Sequence, residues 1–558
     1  MRQILLYTWF VAAAGLACFY EPTGSDSTAS RESETDGSSG PSSPMDPTDP
    51  LEPLDPLDPP DPPDMMSGDS PICGNGIVEG TEACDDGDLD DSDSCTNACT
   101  LATCGDGLVQ SGEGCDDGNL VNDDGCSNAC ALPACGDDIL QAGEICDDGN
   151  LAAGDECDAV CLSTEIKSLA VGGEFVCVAF GDGRVRCWGQ GEYGVLGQGK
   201  TDDLGNGPGE LPAADVEVGG KVVQLAAGFN HVCARLDTDA LRCWGNNHTG
   251  QLGDGYTGKL EDVQLSIHRG DEPGEMPPPD GIADGVVDIA AGHEHTCAIV
   301  EGGTVRCWGD GLYGMLGYGD SSEKREVPKV DVPGVTGAKQ LALGGEHTCV
   351  LRDNGDILCW GHNQSGQLGL GHTDSIGDNP GELPAPVKLG APARAVTAGA
   401  FHTCALMEGD TVRCWGRGTD GQLGTGGMQN VGNTPESLPH DDILTGVDQV
   451  VAGSFHTCAR LLVGDVLCWG RGAKGALGYG DGESRFAPEM AVPLGVSARL
   501  ISASGSDGGE EAGANTCAVL TDETLRCWGA NKYGQLGQGN DLDIGDDEMP
   551  LSIPTVPF

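Results

Sequence analysis

The sequence predicts an all-β chain, a seven-bladed β-propeller preceded by a small disulfide-rich repeat array and a disordered linker. A segment with two cysteines ten positions apart and a Cys-Trp-Gly motif occurs seven times between residues 167 and 558. A second segment with four cysteines per copy occurs three times between residues 73 and 161. Glycine supplies 91 of 558 residues, far above the average of about 7%, which fits an all-β chain with many turns.

Each of the seven repeats is predicted to be a β-hairpin closed by a disulfide. In the third copy HTCAIV, EGG and TVRCW form a strand, a glycine turn and a strand. A turn at residues 301–303 places Cys297 opposite Cys307, and opposed residues have Cβ atoms ~4.5–5.5 Å apart. A close, non-hydrogen-bonded pair can therefore be bridged, whereas the alternative is seven pairs of reduced, buried thiols. The pairs are Cys177 and Cys187, Cys233 and Cys243, Cys297 and Cys307, Cys349 and Cys359, Cys404 and Cys414, Cys458 and Cys468, and Cys517 and Cys527.

The length of the repeat favours propeller blades over a solenoid. The first cysteines of successive copies are 52 to 64 residues apart, and short strands with glycine turns at this period are typical of blades. We expect each blade to bury its tryptophan between blades, rather than to use it for ligand stacking, and to anchor a loop through the Leu-Gly that follows. The tryptophans are Trp188, Trp244, Trp308, Trp360, Trp415, Trp469 and Trp528.

The stretch AAGHEHTCAIVEGGTVRCWGDGLYGMLGYG, residues 290–319, resembles the regulator of chromosome condensation repeat. The resemblance covers Lys167 to Phe558 and implies the seven-bladed propeller of that family. A cysteine pair in every blade departs from the eukaryotic members and is similar to exported bacterial members, which include a propeller that inhibits β-lactamases.

Five blades carry a histidine two residues before the first cysteine. One interpretation is a ring of metal ligands, which would lack two members because the first and last blades have Phe175 and Asn515 instead. The other is a buried imidazole that holds strands together by hydrogen bonds. The histidines are His231, His295, His347, His402 and His456.

The N-terminus is predicted to be an export signal of lipoprotein type. Arg2 precedes an apolar run of 13 residues from Ile4 to Leu16, which is shorter than the ~20 residues that span a bilayer and fits a signal peptide over residues 1–17. The sequence from Gly15 to Cys18 resembles a bacterial lipoprotein box, which implies a lipid on Cys18; ordinary cleavage after residue 17 is the alternative. Of 27 cysteines, Cys18 alone falls outside the two repeat arrays.

Residues 18–72 are expected to form an extended, acidic linker. Repeated Asp-Pro and Leu-Asp-Pro units cannot bury a core and give a semi-rigid spacer. Such a spacer would hold the folded parts away from a membrane or cell wall.

The array at residues 73–161 is expected to hold two disulfides per copy, with connectivity left open. It resembles cysteine-rich repeats of exported myxobacterial proteins and, more loosely, the calcium-binding repeats of Notch-type receptors. It contains 22 Asp and Glu and no Lys or Arg. These carboxylates repel one another, and a hard cation with oxygen ligands would relieve the repulsion. The hypothesis is one Ca²⁺ per copy; the alternative is Asx turns with solvated charges. The calcium candidates are Asp85, Asp86, Asp88, Asp93, Asp116, Asp117, Asn119, Asp124, Asp147, Asp148, Asn150 and Asp155.

The net charge of the chain argues against a nucleic-acid-binding function. With 28 Lys and Arg against 89 Asp and Glu, the net charge is −61, which repels nucleic acid. We find no GxSxG, Walker or HExxH motif and predict no enzyme and no certain cofactor.

The leading hypothesis is a non-enzymatic binding protein, exported as an outer-membrane or cell-surface lipoprotein or freely secreted. As a monomer it would present propeller loops to a protein or glycan, and it would touch the membrane only through the lipid anchor. A second hypothesis is an exported enzyme inhibitor with exposed aromatics on one face, for which the candidates are Tyr193, Tyr313, Tyr318, Tyr479 and Tyr533. A third, a guanine-nucleotide exchange factor as among eukaryotic relatives, conflicts with the export signal.

Overall fold

The chain divides into two units, Met1–Ser70 and Pro71–Phe558. A computed structural model describes residues of the second unit: 72–89, 95–101, 103–107, 109, 113–116, 118–121, 126–131, 135–136, 147, 149, 163–255, 268–276, 285–324, 326–505 and 514–557. Residues 1–71, which hold the predicted signal, Cys18 and all but the last residue of the linker predicted for residues 18–72, lie outside the described residues. So do Asp93, Asp117, Asp124, Asp148, Asn150 and Asp155 of the calcium candidates.

Among the described residues, seven antiparallel sheets, one per repeat, make up the propeller; six of them have three strands and the fifth has four. The strands are Ile166–Val171, Phe175–Phe180 and Val185–Gly189 (β1–β3, blade 1); Val222–Ala227, His231–Leu236 and Leu241–Gly245 (β4–β6, blade 2); Val286–Ala291, His295–Val300 and Thr304–Gly309 (β7–β9, blade 3); Ala338–Leu343, His347–Arg352 and Ile357–Gly361 (β10–β12, blade 4); Ala393–Ala398, His402–Met407, Thr411–Gly416 and Leu444–Thr445 (β13–β16, blade 5); Val447–Ala452, His456–Leu461 and Val466–Gly470 (β17–β19, blade 6); and Ala498–Ala503, Asn515–Leu520 and Leu525–Gly529 (β20–β22, blade 7).

Helical structure among the described residues is limited to short 3₁₀ turns. These are Glu192–Gly194, Leu312–Gly314, Ala473–Gly475 and Pro550–Ser552. No helix in the described part of the chain is both long and apolar enough to cross a membrane.

Each blade carries the cross-strand disulfide that its cysteine spacing predicts. In blade 3 Cys297 lies directly opposite Cys307 in the pairing of β8 with β9, and their Cα atoms are 4.1 Å apart. The other six blades repeat this register and bond. Because these sulfurs are buried, the disulfides are part of the packed sheet rather than surface cross-links.

The apolar core lies between blades rather than within them. One cluster of buried side chains joins blades 1 and 2, another joins blades 3 and 4, and a large one joins blades 6, 7 and 1. The last of these closes the ring, since Ile166 and Trp188 of blade 1 pack in one cluster with Trp528 of blade 7.

Every repeat tryptophan donates a hydrogen bond to the preceding blade. Trp360 Nε1 lies 2.9 Å from the carbonyl oxygen of Met315, the residue before the Leu-Gly of blade 3. The same bond links all seven neighbours, and Trp188 reaches Gln535 of the last blade. The Leu-Gly motif thus positions an acceptor for the next blade, which explains why it follows every Cys-Trp-Gly.

The five histidines form hydrogen bonds between blades. His347 Nε2 lies 2.9 Å from Thr403 Oγ1 in the next blade, and that hydroxyl donates to the Gln367 carbonyl oxygen at 2.9 Å. Because the single hydroxyl proton goes to the carbonyl, the imidazole donates from Nε2. The equivalent pairs are His231 with Thr296, His295 with Thr348, His402 with Thr457, and His456 with Thr516.

Burial favours the neutral form of these histidine rings. Burial lowers the pKa of His347 to about 3, and its Nδ1 has no hydrogen-bond partner among the described residues, so an added proton there would have no acceptor. Gly344 makes room for this ring, because a Cβ at that position would overlap it. This arrangement is the buried hydrogen-bonding alternative of the sequence analysis, not a metal ring.

The first two copies of the cysteine-rich array have nested disulfides. The first cysteine pairs with the fourth and the second with the third, as Cys73–Cys99 and Cys84–Cys95 in copy one. Copy two repeats the pattern. Sequence spacing alone left this connectivity open.

Candidate binding face

One face of the propeller carries the turns between the first and second strands of blades 1–6, and we call it the upper face; residues 506–513 of the corresponding turn in blade 7 lie outside the described part of the chain. The residue before each second strand accepts a backbone hydrogen bond from the residue after the Trp-Gly motif. In blade 4, for example, His362 N lies 2.9 Å from Glu346 O, and in blade 5 Arg417 N lies 2.9 Å from Phe401 O. These two positions are therefore structurally equivalent in all blades and lie side by side around the ring.

The backbone of this pair repeats, but its side chains do not. The pairs are Glu174 and Gln190, Asn230 and Asn246, Glu294 and Asp310, Glu346 and His362, Phe401 and Arg417, Phe455 and Arg471, and Ala514 and Ala530 in blades 1 to 7. Blades 1–4 thus present acidic and polar groups, whereas blades 5 and 6 present phenylalanine and arginine. Cysteine, tryptophan and the buried glycines satisfy the fold in every blade, so the fold does not dictate this variation.

We call the acidic and polar pairs of blades 1–4 the acidic arc. It contains a carboxyl group, that of Glu174, whose pKa is raised. Burial raises the pKa of Glu174 to about 7; Lys532 opposes the rise, and Asp203 and Glu192 add to it. The carboxyl therefore exchanges its proton near neutral pH, so the charge of the arc changes there.

Tyr313 and His362 mark the boundary between the acidic and aromatic parts. Their rings are stacked with centroids 4.3 Å apart, and His362 Nδ1 lies 2.9 Å from a carboxylate oxygen of Glu346. Phe401 approaches the His362 ring edge-on at 6.4 Å. Tyr313 remains 38% exposed, so a large aromatic surface faces solvent here.

In blades 5 and 6, guanidinium groups stack on phenylalanine rings. The Cζ atom of Arg417 lies 5.2 Å from the ring centroid of Phe455 and 5.9 Å from that of Phe401. Arg471 Cζ lies 4.6 Å from the Phe455 centroid. Asp420 holds both arginines, with nitrogen–oxygen distances of 3.2 Å to Arg417 and 3.0 Å to Arg471.

Glutamates in the acidic loops that follow the blades accept hydrogen bonds from the backbone of their own loops. Glu382 accepts hydrogen bonds from the N–H groups of Gly377 and Asn379 at 3.0 and 3.1 Å. Glu210 makes the same bonds to the amides of Gly205 and Gly207. Their recurrence from blade to blade identifies these glutamates as loop supports.

A channel of about 460 Å³ runs between the first strands of the seven blades. Gln224 and Leu341, which line it, both bond to Asp288: Gln224 Nε2 donates to Asp288 Oδ1 at 2.7 Å, and Leu341 N donates to Asp288 Oδ2 at 2.9 Å. These bonds connect blades 2, 3 and 4, so the groups support the ring.

Of the five tyrosine candidates, all within the described residues, only Tyr313 is exposed. The hydroxyl of Tyr318 accepts a hydrogen bond from Cys307 N at 3.1 Å, and that of Tyr479 accepts one from Cys468 N at 3.0 Å. Burial raises the pKa of both to about 12. They stabilise the third strand of their blades, whereas Tyr193, Tyr313 and Tyr533 belong to loops of the upper face. Repeat position alone could not distinguish these two environments.

The first aspartate of each calcium-candidate group binds backbone amides. Asp116 accepts hydrogen bonds from the N–H groups of Gly105, Gly107 and Gly118 at 2.6 to 2.8 Å. Burial acts to raise the pKa of Asp116, but these backbone bonds outweigh it and lower the pKa. Asp85 has the same environment, and Asp147 accepts from Gly136 and Gly149. These carboxylates have the geometry of anions in turns.

The remaining described candidates do not meet at one point. Asp86 and Asp88 belong to none of the clusters of His, Cys, Asp and Glu in the described parts of the chain that could hold a metal ion. Two of those clusters contain Asp85 or Asp116 with cysteines that are disulfide-bonded, which removes their thiolates. Calcium in the array stays a prediction, which calorimetric titration of Ca²⁺ into the protein tests.

Comparison with known proteins decides the family. The RCC1-like domain matches residues 94–437 and 268–556. The chain belongs to the RCC1-like domain family. A domain of unknown function, DUF4215, matches residues 69–100 in the cysteine-rich array.

Relatives of this RCC1-like chain include two Arabidopsis thaliana proteins. Ultraviolet-B receptor UVR8 is 34% identical over 332 residues, covering 58% of this chain and 68% of UVR8. RCC1 domain-containing protein RUG3, mitochondrial, is 27% identical over 375 residues, covering 63% of this chain and 78% of RUG3. Among solved structures, Prp20p from Saccharomyces cerevisiae, described with its binding to Gsp1p and histones, has a TM-score of 0.50 at 21% identity, covering 69% of this chain and 87% of Prp20p. It supports the propeller fold.

Proposed function

We propose that this RCC1-like protein is a non-enzymatic binding protein outside the cytoplasm, and that its upper face docks a protein partner. The observation that carries the proposal is the paired position around the ring. Its backbone repeats seven times, while its side chains change from acidic and polar in blades 1–4 to Phe–Arg in blades 5 and 6.

The composition of this face supports a protein ligand. Interfaces between proteins are enriched in Tyr, Phe and Arg, and a few such side chains carry most of the binding free energy. Tyr313, Phe401, Arg417 and Arg471 are of these types and are contiguous in space. A rigid propeller also limits the entropy lost on binding.

Two features support a location outside the cytoplasm. Seven buried disulfides, one in each blade, are typical of oxidising compartments. The N-terminal sequence resembles an export signal with a lipidation site at Cys18.

Affinity capture with face variants tests the function. The immobilised protein is incubated with envelope extract of the producing cells, beside a variant carrying Glu294→Lys and Phe401→Ser on the upper face. The matched control is Val463→Ser in a hairpin turn between the second and third strands, where Val463 is 71% exposed. We expect a protein captured by the wild type and the control but not by the face variant. Equal capture by all three would exclude the upper face, and capture of a glycan alone would replace the protein partner.

A second candidate, inhibition of an exported enzyme, uses the same surface. The exposed ring of Tyr313 beside His362 could enter an active-site cleft. Loss of catalytic activity in the captured protein on adding this chain distinguishes inhibition from simple docking.

A further inference from the structure

The ring of Tyr313 has one covered face and one open face. His362 is stacked on the covered face, with ring centroids 4.3 Å apart and ring planes 22° apart. Among the described residues, no cationic group and no second ring contacts the opposite face. An aromatic face carries the negative part of the ring's quadrupole, so it attracts cations.

The equivalent tyrosine of blade 7 shows that a ring at this repeat position can hold a cation. Tyr313 and Tyr533 each lie four residues after the glycine that ends the third strand of their blade. Lys532 Nζ lies 4.7 Å from the ring centroid of Tyr533. Blade 3 has Leu312 in the position of Lys532, so the neighbouring residue of its own loop cannot supply the cation.

Two carboxylates lie beside the stacked rings. Glu346 has a carboxylate oxygen 2.9 Å from His362 Nδ1, and Asp310 Oδ1 accepts a hydrogen bond from Leu312 N at 3.0 Å. Burial raises the pKa of Asp310; the backbone hydrogen bonds from Leu312 and Gly311 oppose the rise, and the charges of Glu323 and Glu346 add to it. A cation bound here would relieve this repulsion between carboxylates.

A guanidinium group matches a flat ring with carboxylates beside it. It is planar and stacks on aromatic faces, and its N–H groups point outward in its own plane, where carboxylates accept them. The negative charge of the acidic arc and of the whole chain, −61, also favours a basic ligand. On the blade 5 side the site ends at Phe401, whose ring already carries Arg417 at 5.9 Å.

Resting on the proposed function, we propose that Tyr313 and the carboxylates of Glu346 and Asp310 bind an arginine side chain of the protein partner. The guanidinium stacks on the open face of Tyr313 and donates hydrogen bonds to the two carboxylates. Every residue of this site lies within the described stretches 285–324 and 326–505.

The test measures binding of Nα-acetylarginine amide by saturation-transfer NMR. Tyr313→Leu removes the ring, Tyr313→Phe keeps it, and Glu346→Gln removes one negative charge. The matched control is Glu408→Gln, which removes one charge from an exposed glutamate in the hairpin turn between β14 and β15, at the other end of the strands. Near-ultraviolet circular dichroism verifies that each variant is folded.

We expect Tyr313→Leu and Glu346→Gln each to weaken binding about fivefold, and Tyr313→Phe and Glu408→Gln to stay within about twofold of the wild type. Nα-acetylcitrulline amide, which has a similar shape but no charge, should bind at least about fivefold more weakly than the arginine compound. Unchanged affinity in Tyr313→Leu would overturn the inference. Tighter binding of Nα-acetyllysine amide would also overturn it, because the site would then select an ammonium group.

The proposed function and the arginine site fail separately. If Glu294→Lys with Phe401→Ser abolishes capture of the natural partner but Tyr313→Leu captures it as the wild type does, the arginine inference is wrong and the docking face stands. If capture ignores the Glu294→Lys, Phe401→Ser variant, the proposed function itself is wrong, whatever the affinity for the arginine compound.

Discussion

At the scale of single residues, the indole N–H groups are the contacts that every blade shares. The Met315 carbonyl oxygen accepts hydrogen bonds from Trp360 Nε1 and Thr348 Oγ1, each at 2.9 Å. It therefore connects two side chains of blade 4 to blade 3 at a fully buried point.

Removing one indole N–H tests this bond. We expect Trp360→Phe to lower the free energy of unfolding by about 2–4 kcal/mol, because a hydrogen bond is lost and a cavity forms. Urea denaturation with intact disulfides measures it. Tyr313→Phe, at an exposed aromatic, is the control; a similar loss in both variants would contradict the role of the indole.

Histidine protonation makes the stability depend on pH. The pKa of His402 is lowered from 6.5 to about 3 by burial, with smaller contributions from His456 and His347. Between these values the unfolded chain binds a proton that the folded chain does not, so stability falls as the pH drops from about 6.5 and is unaffected above it.

We expect His402→Gln, whose amide can still donate to Thr457, to reduce the slope of unfolding free energy against pH. The reduction should be about 1.4 kcal/mol per pH unit between pH 4 and 6, the value for one proton. Urea titrations at several pH values measure the slope, with His372→Gln, whose side chain is 40% exposed, as the control. Identical slopes in His402→Gln and the wild type would show that the ring is not buried neutral.

At the scale of elements, wherever a blade lacks the histidine, the next blade around the ring also lacks the threonine that would pair with it. Where blade 1 has Phe175 in place of histidine, blade 2 has Val232 in place of threonine, and both are fully buried in one apolar cluster. In blade 7, Asn515 faces blade 1, whose equivalent residue is Val176. In blade 7, Ser504 occupies the position of the glycine that makes room for the histidine ring in the other blades. A histidine in place of Asn515 would therefore not fit.

A double-mutant cycle tests this pairing. Phe175→His or Val232→Thr alone should destabilise the chain by about 1–3 kcal/mol, since each buries a polar group without its partner. Together they should recover at least about 1 kcal/mol, because they recreate the bond seen in the other blades. Additive urea midpoint shifts would show that the two positions do not meet across the interface.

The sequence predicted the hairpin register because Cys297 and Cys307 flank a short glycine turn with fixed geometry. It could not predict the acceptor of Trp308, which is the carbonyl of Gln251 in another repeat, since no local pattern specifies contacts between repeats. Arg417 and Phe401 were missed because they are distant in sequence and neither belongs to a motif. Aligning the seven copies and asking which positions fail to repeat was the signal that could have found them.

At the scale of the whole molecule, the disulfides allow a test of the proposed location outside the cytoplasm. We expect alkylation of the freshly isolated, denatured protein without reductant to label none of the fourteen propeller cysteines, because thiols in oxidising compartments are paired. Mass spectrometry before and after reduction measures this and also reports any lipid on Cys18. A sample reduced before alkylation is the control, and labelled propeller cysteines in unreduced material would contradict export.

Two interfaces lack the histidine–threonine bond, the one between blades 1 and 2 and the one between blades 7 and 1, and both border blade 1. Apolar contacts weaken on cooling, whereas the other five interfaces also have hydrogen bonds from histidine to threonine. Near freezing, amide hydrogen exchange should therefore accelerate first in β1–β3, while the strands of blades 3 to 6 stay protected. The ring would then loosen at one blade when chilled, instead of losing its strands evenly.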